Sequence, residues 1–327
     1  MTGVVSWARL SYRLQRLEIL LLGAAVLLAS GLMLWWAFQL DGIAAAHPDC
    51  DFFDPAVACQ AAGQLFSETF STAEIIIRNT GVVGFVVGLV LGVPLVAREV
   101  DHGTAQLAWT IGRSRVRWLI GRVAFAVVVV VALTGLLAVA TELLASAMYP
   151  AIDVSQDFFL YGNRGPLMVG RALLGLGAGV LVGAVLGRQL PALLLGVFLI
   201  GGLYWASVVG FQRWYEAEAV TAYQGEWLGG PIWVGSGIEL ASSERLSWQE
   251  FEAIARSDEM YMGDDGSIYV SQEDYAAGRN AVGREYVLIV PGERYNQVVA
   301  RETAVFASGG LILIGAAAAV TRRRRPA

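Results

Sequence analysis

Few residues in this chain can do chemistry, and their positions narrow the choice further. Glu142 and Arg171 sit inside apolar runs, where an ionisable group is costly and marks either a functional group or an ion pair between neighbouring helices. The main polar concentration between apolar runs is Arg98 to Arg117, REVDHGTAQLAWTIGRSRVR. Two His and two Cys are too few to suggest a zinc centre built from those residues. All 23 basic residues are Arg, so the chain cannot carry a Walker A phosphate loop or form a Lys Schiff base. An intramembrane protease or lipid transferase would need a nucleophile, base or metal ligands converging at membrane depth, and the apolar runs hold no His, no Cys and no paired carboxylates. His102 is a lone imidazole in a charged loop and is read as neither catalyst nor pH sensor.

The elements that must position these residues are membrane helices. A mean hydropathy of +0.57, with 56% hydrophobic and 16% charged residues, does not describe a soluble chain of 327 residues. The expected fold class is an all-α polytopic membrane protein with six transmembrane helices, over 18–39, 79–97, 118–147, 167–187, 190–211 and 303–320. Arg9, Arg13, Arg16, Arg98, Arg113, Arg115, Arg117, Arg188 and the run Arg322 to Arg325 fall on one side of that arrangement. Acidic loops fall on the other, so the positive-inside rule predicts cytoplasmic termini at the plasma membrane. The domains expected are an interfacial helix over 1–17, five spans over 18–211 with a polar loop at 98–117, an extracytoplasmic domain over 212–302, and a sixth span with a basic tail over 303–327.

Trp7, Leu10, Leu14 and Leu17 recur at helical spacing, with Arg9, Arg13 and Arg16 largely on another face, which suits a helix lying in the membrane interface. The apolar stretch Ile19 to Phe38 is too long for the core of a cleaved signal peptide. Cys50 and Cys59 lie in the first outer loop, where a disulfide would persist and hold the loop together. Gly84, Gly88 and Gly92 in the second span, and Gly179, Gly183 and Gly187 in the fourth, are spaced for close helix packing, within one subunit or between two. Pro94 is expected to bend the second span, and Gly187 to Pro191 to make a tight hairpin. In the hydrophilic segment, Ser247 and Glu250 form a capping box opening a helix through Ala255. Gly263 to Gly266 reads as a turn and Glu285 to Val290 as a strand. Asp264, Asp265, Glu273 and Asp274 lack EF-hand spacing and read as a solvated acidic surface.

Within the polar loop, Thr104 can cap a short helix that Gly112 ends, and Ser114 can cap the next span. The pattern Glu99, Gly103, Thr104, then Ser114 and Arg115, resembles the first cytoplasmic loop of the type-2 ABC exporter permeases. Trp7 with its Arg-rich run, and Arg294, Tyr295 and Glu302 before the sixth span, are similar to a subset of single-domain permeases. The resemblance covers the whole chain. It implies a coupling helix that docks on a separate ABC ATPase subunit, with Arg98, Glu99, Asp101, His102, Gly103, Thr104, Ser114 and Arg115 as the ATPase-facing set. It further implies a permease homodimer or heterodimer in lipid, no cofactor on this chain, ATP and Mg on the partner, no nucleic acid, and export of a hydrophobic or amphipathic substrate. Glu142, Arg171, Tyr204 and Trp205 are the candidate pathway residues. The competing reading is a membrane-anchored sensor or scaffold whose outer domain binds a ligand, although six spans exceed what an anchor needs.

Overall fold

In the computed structural model, the described residues are 2–53, 59–102, 114–223, 230–255, 261–269, 271–278 and 281–323. The chain forms two compact units: Met1–Val154, Leu160–Tyr204 and Gln297–Ala327 make one, and Ser155–Phe159 with Trp205–Asn296 make the other. Among the described residues, six helices are long and apolar enough to cross a membrane. They are α1 (Thr2–Ala46), α2 (Gln60–Asp101), α3 (Arg115–Met148), α4 (Leu167–Leu186), α5 (Gln189–Glu218) and a C-terminal helix (Tyr295–Arg323). Several of these boundaries run past hydropathy: α1 covers Thr2–Ala46 rather than 18–39, α2 begins 19 residues before the apolar run at 79, α5 runs to Glu218 rather than 211, and the C-terminal helix begins at Tyr295 rather than 303. A helix can continue beyond the lipid wherever its sequence permits, and hydropathy sees only the lipid-facing part.

The first unit is built on the contact between α2 and α4. These helices run parallel, and their facing glycines bring backbone against backbone. A methyl group added to Gly84 would sit 2.5 Å from the Met168 carbonyl oxygen, and one on Gly92 would sit 2.6 Å from that of Leu176. Gly88 would collide with the backbone of Ala172 and Leu176. From the other side, Gly175 meets the Phe85 carbonyl and Gly179 meets the Val93 amide at 2.5 and 2.9 Å. The glycine spacing thus packs helices within this chain. Gly187 does something else: with φ +67 it is the left-handed residue that ends α4, its amide donating to the Gly183 carbonyl.

α1 bends at Gln15, whose φ of −116 and ψ of 16 are not helical. The Gln15 side chain is buried there and donates from Nε2 to the Leu91 carbonyl, 3.2 Å away, three residues before Pro94. A proline deprives the preceding turn of a donor. An extra side-chain donor reaches α2 at that turn, and α2 continues through Pro94 as one helix. Beyond α1, Cys50 and Cys59 form a disulfide that closes the loop leading into α2. Phe52 stacks on Phe66 and Phe53 on Tyr149 beside it.

The second unit holds a six-stranded antiparallel sheet. Its strands are β1 (Val220–Tyr223), β2 (Ile232–Leu240), β3 (Arg245–Leu246), β4 (Tyr261–Met262), β5 (Ser267–Tyr269) and β6 (Gly283–Val290). β6 is the centre: β2 pairs along one edge, and β1 and β5 follow one another along the other. Helix α6 (Trp248–Ala255) opens on the expected capping box. Ser247 donates its hydroxyl and amide to Glu250 Oε2 at 2.7 and 2.9 Å, and the Glu250 amide returns to Ser247 Oγ at 3.3 Å. Phe251 of α6 packs on Ile238, Leu246 and Ile268. Gly263 to Gly266 turns β4 into β5, and α7 (Gln272–Ala277) follows. The final long helix is α8 (Tyr295–Arg323).

On the other sheet face, the Tyr223 hydroxyl donates to Glu239 Oε2 at 2.9 Å and Arg245 Nε donates to the same oxygen at 3.0 Å. Those bonds, the tyrosine's first, hold the Glu239 carboxyl below the usual carboxylate range, and the bond to Glu239 raises the Tyr223 phenol. A depressed carboxylate stabilises the fold fully above its unfolded value, and that contribution is lost as pH falls through the lowered folded value. Tyr223→Phe should move the Glu239 titration upward, as followed by carboxyl carbon NMR; an unmoved titration would contradict the contact. In the first unit, Gly88→Leu should lower stability by about 1–3 kcal/mol through overpacking. Gly135→Ala, where nothing lies within 4 Å of the new methyl, should be neutral or better in thermal unfolding.

Candidate functional site

The end of the helical unit that carries the polar loop is tied together by charge. Arg98 and Glu99 belong to α2, which continues through Asp101, so the connecting segment is 102–114 rather than 98–117. Gly103, Thr104 and the short helix expected after Thr104 lie outside the described residues. Asp101 and His102 are exposed, with His102 Nδ1 2.8 Å from the Arg98 carbonyl. Ser114 is the N-cap of α3, its hydroxyl accepting from the Arg117 amide at 3.3 Å. Arg115 opens that helix.

Glu99 is placed otherwise than the ATPase-facing reading expected. Its side chain is 11% exposed, and its Oε1 accepts from Arg122 Nη2 of α3 at 3.0 Å. Arg122, 6% exposed in its side chain, also donates from Nη1 to the Leu95 carbonyl at 3.2 Å and lies over the Trp118 ring at 5.0 Å. A carboxylate at this depth would be unfavourable alone, and the guanidinium one helix away neutralises it. Glu99 therefore joins α2 to α3. Arg98 reaches the other way, to Glu18 of α1 at 2.9 Å, with 43% and 21% of the two side chains exposed. Arg122, Glu18 and Gln15 carried no sequence signal beyond being polar residues in or beside apolar runs.

The opposite end of the same unit has a second polar network. Glu142 accepts from the guanidinium of Arg164, at 2.6 Å, from the segment joining α3 to α4. Arg164 is buried and also donates to the Val154 carbonyl at 2.6 Å. Thr80 donates to the Asn163 carbonyl, and the Gly165 amide donates to Thr141 at 3.4 Å. Arg171 donates to the carbonyls of Gly81, at 3.0 Å, and Gly162. Its guanidinium lies 5.5–5.8 Å from the ring centres of Phe85, Tyr204 and Phe306. The turn so held has left-handed backbone at Leu160, Gly162 and Gly165. Arg171 and Tyr204 are brought together, and the two charged pathway candidates are engaged in fastening 160–165 to α2, α3 and α4. Trp205 stays 70% exposed.

The buried pair predicts a specific pattern of stability. Glu99→Leu should cost about 3–5 kcal/mol, because Arg122 is left charged and uncompensated. Adding Arg122→Met should recover most of that loss, since a buried pair is commonly replaceable by apolar residues of similar size. Unfolding of both single variants and the double variant in detergent checks this; losses that simply add would show that Glu99 and Arg122 act independently.

No curated protein and no solved structure matches the chain. A family model described as ABC-2 membrane transporter related matches residues 17–210, more than half of the sequence, taking in both polar networks. Six apolar helices, a polar segment between the second and third, and this match lead to one conclusion: the chain is a multi-pass membrane protein of the ABC-2 membrane transporter related family, an ABC-2 type permease.

Proposed function

We propose that the chain is the transmembrane permease subunit of an ATP-binding-cassette exporter, driven by a separate ATPase subunit that binds the ATP and Mg. The observation that carries this reading is the bracing of both helices flanking 102–114: Glu99 of α2 is held to Arg122 of α3. A loop that only satisfied topology would need no such bracing, whereas a loop that receives a push must pass it to rigid helices. The ATPase contacts fall to the exposed groups at its borders, Asp101, His102 and Ser114, together with Gly103 and Thr104, while Glu99 supports them from within.

The positive-inside rule supports cytoplasmic termini in the plasma membrane, because this end carries Arg98, Arg117, Arg188, Arg322 and Arg323. The sheet-bearing segment then lies outside the cell. A transport path shared by two permease chains, as homodimer or heterodimer, suits the lipid-exposed faces of α1, α5 and α8, with Trp205 among the aromatic groups a hydrophobic substrate would meet on α5.

Purification of the tagged chain from its own host in mild detergent should bring down a soluble protein with a Walker A motif in near-equal amount. Replacement of 103–113 by a Gly/Ser linker should abolish that association while the chain still reaches the membrane. A different cytoplasmic partner, or none from a folded preparation, would contradict the permease reading.

A further inference from the structure

The two ion pairs beside the loop differ in kind, and the difference points to how this end moves. Arg98 and Glu18 join α2 to α1 through side chains that are 43% and 21% exposed. Solvent and salt reach such a pair, so it is readily exchanged for water and ions. Arg122 and Glu99 join α3 to α2 through side chains that are 6% and 11% exposed. Trp118, one turn before Arg122 on α3 and itself buried, covers the guanidinium on one face. The guanidinium has a second anchor on α2 in the Leu95 carbonyl, so one planar group grips α2 at two points a turn apart. Breaking this grip would strand two charges out of reach of water. Breaking the other returns Arg98 to water, although Glu18 Oε2 is itself buried. On the α1 side the helix also departs from helical geometry at Gln15, three residues before Glu18.

We infer that Arg122 is the positioning residue of the loop. By holding Glu99 and Leu95 it makes the end of α2 and the start of α3 one stiff hairpin, while the joint between α1 and α2 yields. Displacement of 102–114 then tilts α2 and α3 together and slides them past α1. This rests on the permease reading for the source of the push, but the stiffness itself belongs to the chain alone.

Spin labels test this in nanodiscs, with the Cys50–Cys59 disulfide intact. One pair of labels replaces Asp101 and Arg117, at the exposed ends of α2 and α3, and a second pair replaces Arg16 and Asp101, across α1 and α2. In the otherwise unaltered chain, raising NaCl to about 1 M, where screening acts over roughly 3 Å, should broaden the 16–101 distance distribution and leave 101–117 narrow. Arg122→Gln should at least double the width of 101–117 and leave 16–101 as it was. Arg122→Lys, with its charge but without the planar fork, should give an intermediate width. An unchanged 101–117 width in Arg122→Gln, or equal salt broadening of both pairs, would overturn the proposal. The salt arm needs no change at Arg122, so it decides the matter even where the glutamine variant fails to fold. The absence of a co-purifying ATPase would sink the permease reading and leave this result standing.

Discussion

The contact on which the rest of the helical unit depends is the backbone-to-backbone approach of α2 and α4. Apolar side chains gain nothing by leaving lipid for one another, so helices in a bilayer associate through close packing and polar contacts. The glycines at 84, 88, 92, 175 and 179 remove the side chains that would keep these two helices apart. α4 continues the same device on its next face: Gly177 meets the backbone of Gly310, and Gly170 that of Thr303, bringing α8 against it. α2 and α4 are consequently the most buried spans, with α1, α5 and α8 largely left to lipid or to another chain.

With α2 fixed, its C-terminal end and its middle become attachment points for charge. Near its C-terminal end, Glu99 and Arg98 reach α3 and α1. At its middle, Thr80 and the Gly81 carbonyl hold the α3–α4 turn, with Arg171 bridging Gly81 to Gly162. Arg122, Arg164 and Arg171, the buried cations among the described residues, each have an acceptor on a different element from their own, as a low-dielectric setting requires. The helices are thereby tied at two levels, with an apolar and small-residue seam between them.

Hydropathy and Arg placement made the six spans legible, and small-residue spacing showed which helix faces pack closely. Ser247 and Glu250 marked the start of α6, because a capping box is a local device whose partners sit three residues apart. The polar networks were not legible in the same way. Arg122 pairs with a residue 23 positions away, and Arg164 with one 22 away, and no local rule selects those partners. Glu142 and Arg171 stand out in the sequence as ionisable groups inside apolar runs, but nothing local points to the turn at 160–165 that both engage. That turn uses a left-handed leucine at position 160, which local preference disfavours and which the surrounding hydrogen bonds enforce. The sheet escaped for another reason. Strands of two and three residues, such as β3, β4 and β5, are too short to show an alternating pattern.

The central claim is that the segment between α2 and α3 is where an ATPase engages this permease. Photocrosslinking from His102 in intact cells tests it most directly, with a benzophenone amino acid at that exposed position and a second at Leu190 on the lipid-exposed start of α5 as comparison. The account predicts a single protein adduct from 102, identified by mass spectrometry as a nucleotide-binding ATPase, and lipid adducts from 190. An adduct from 102 with a protein lacking an ATP-binding motif, or with lipid alone, would contradict it.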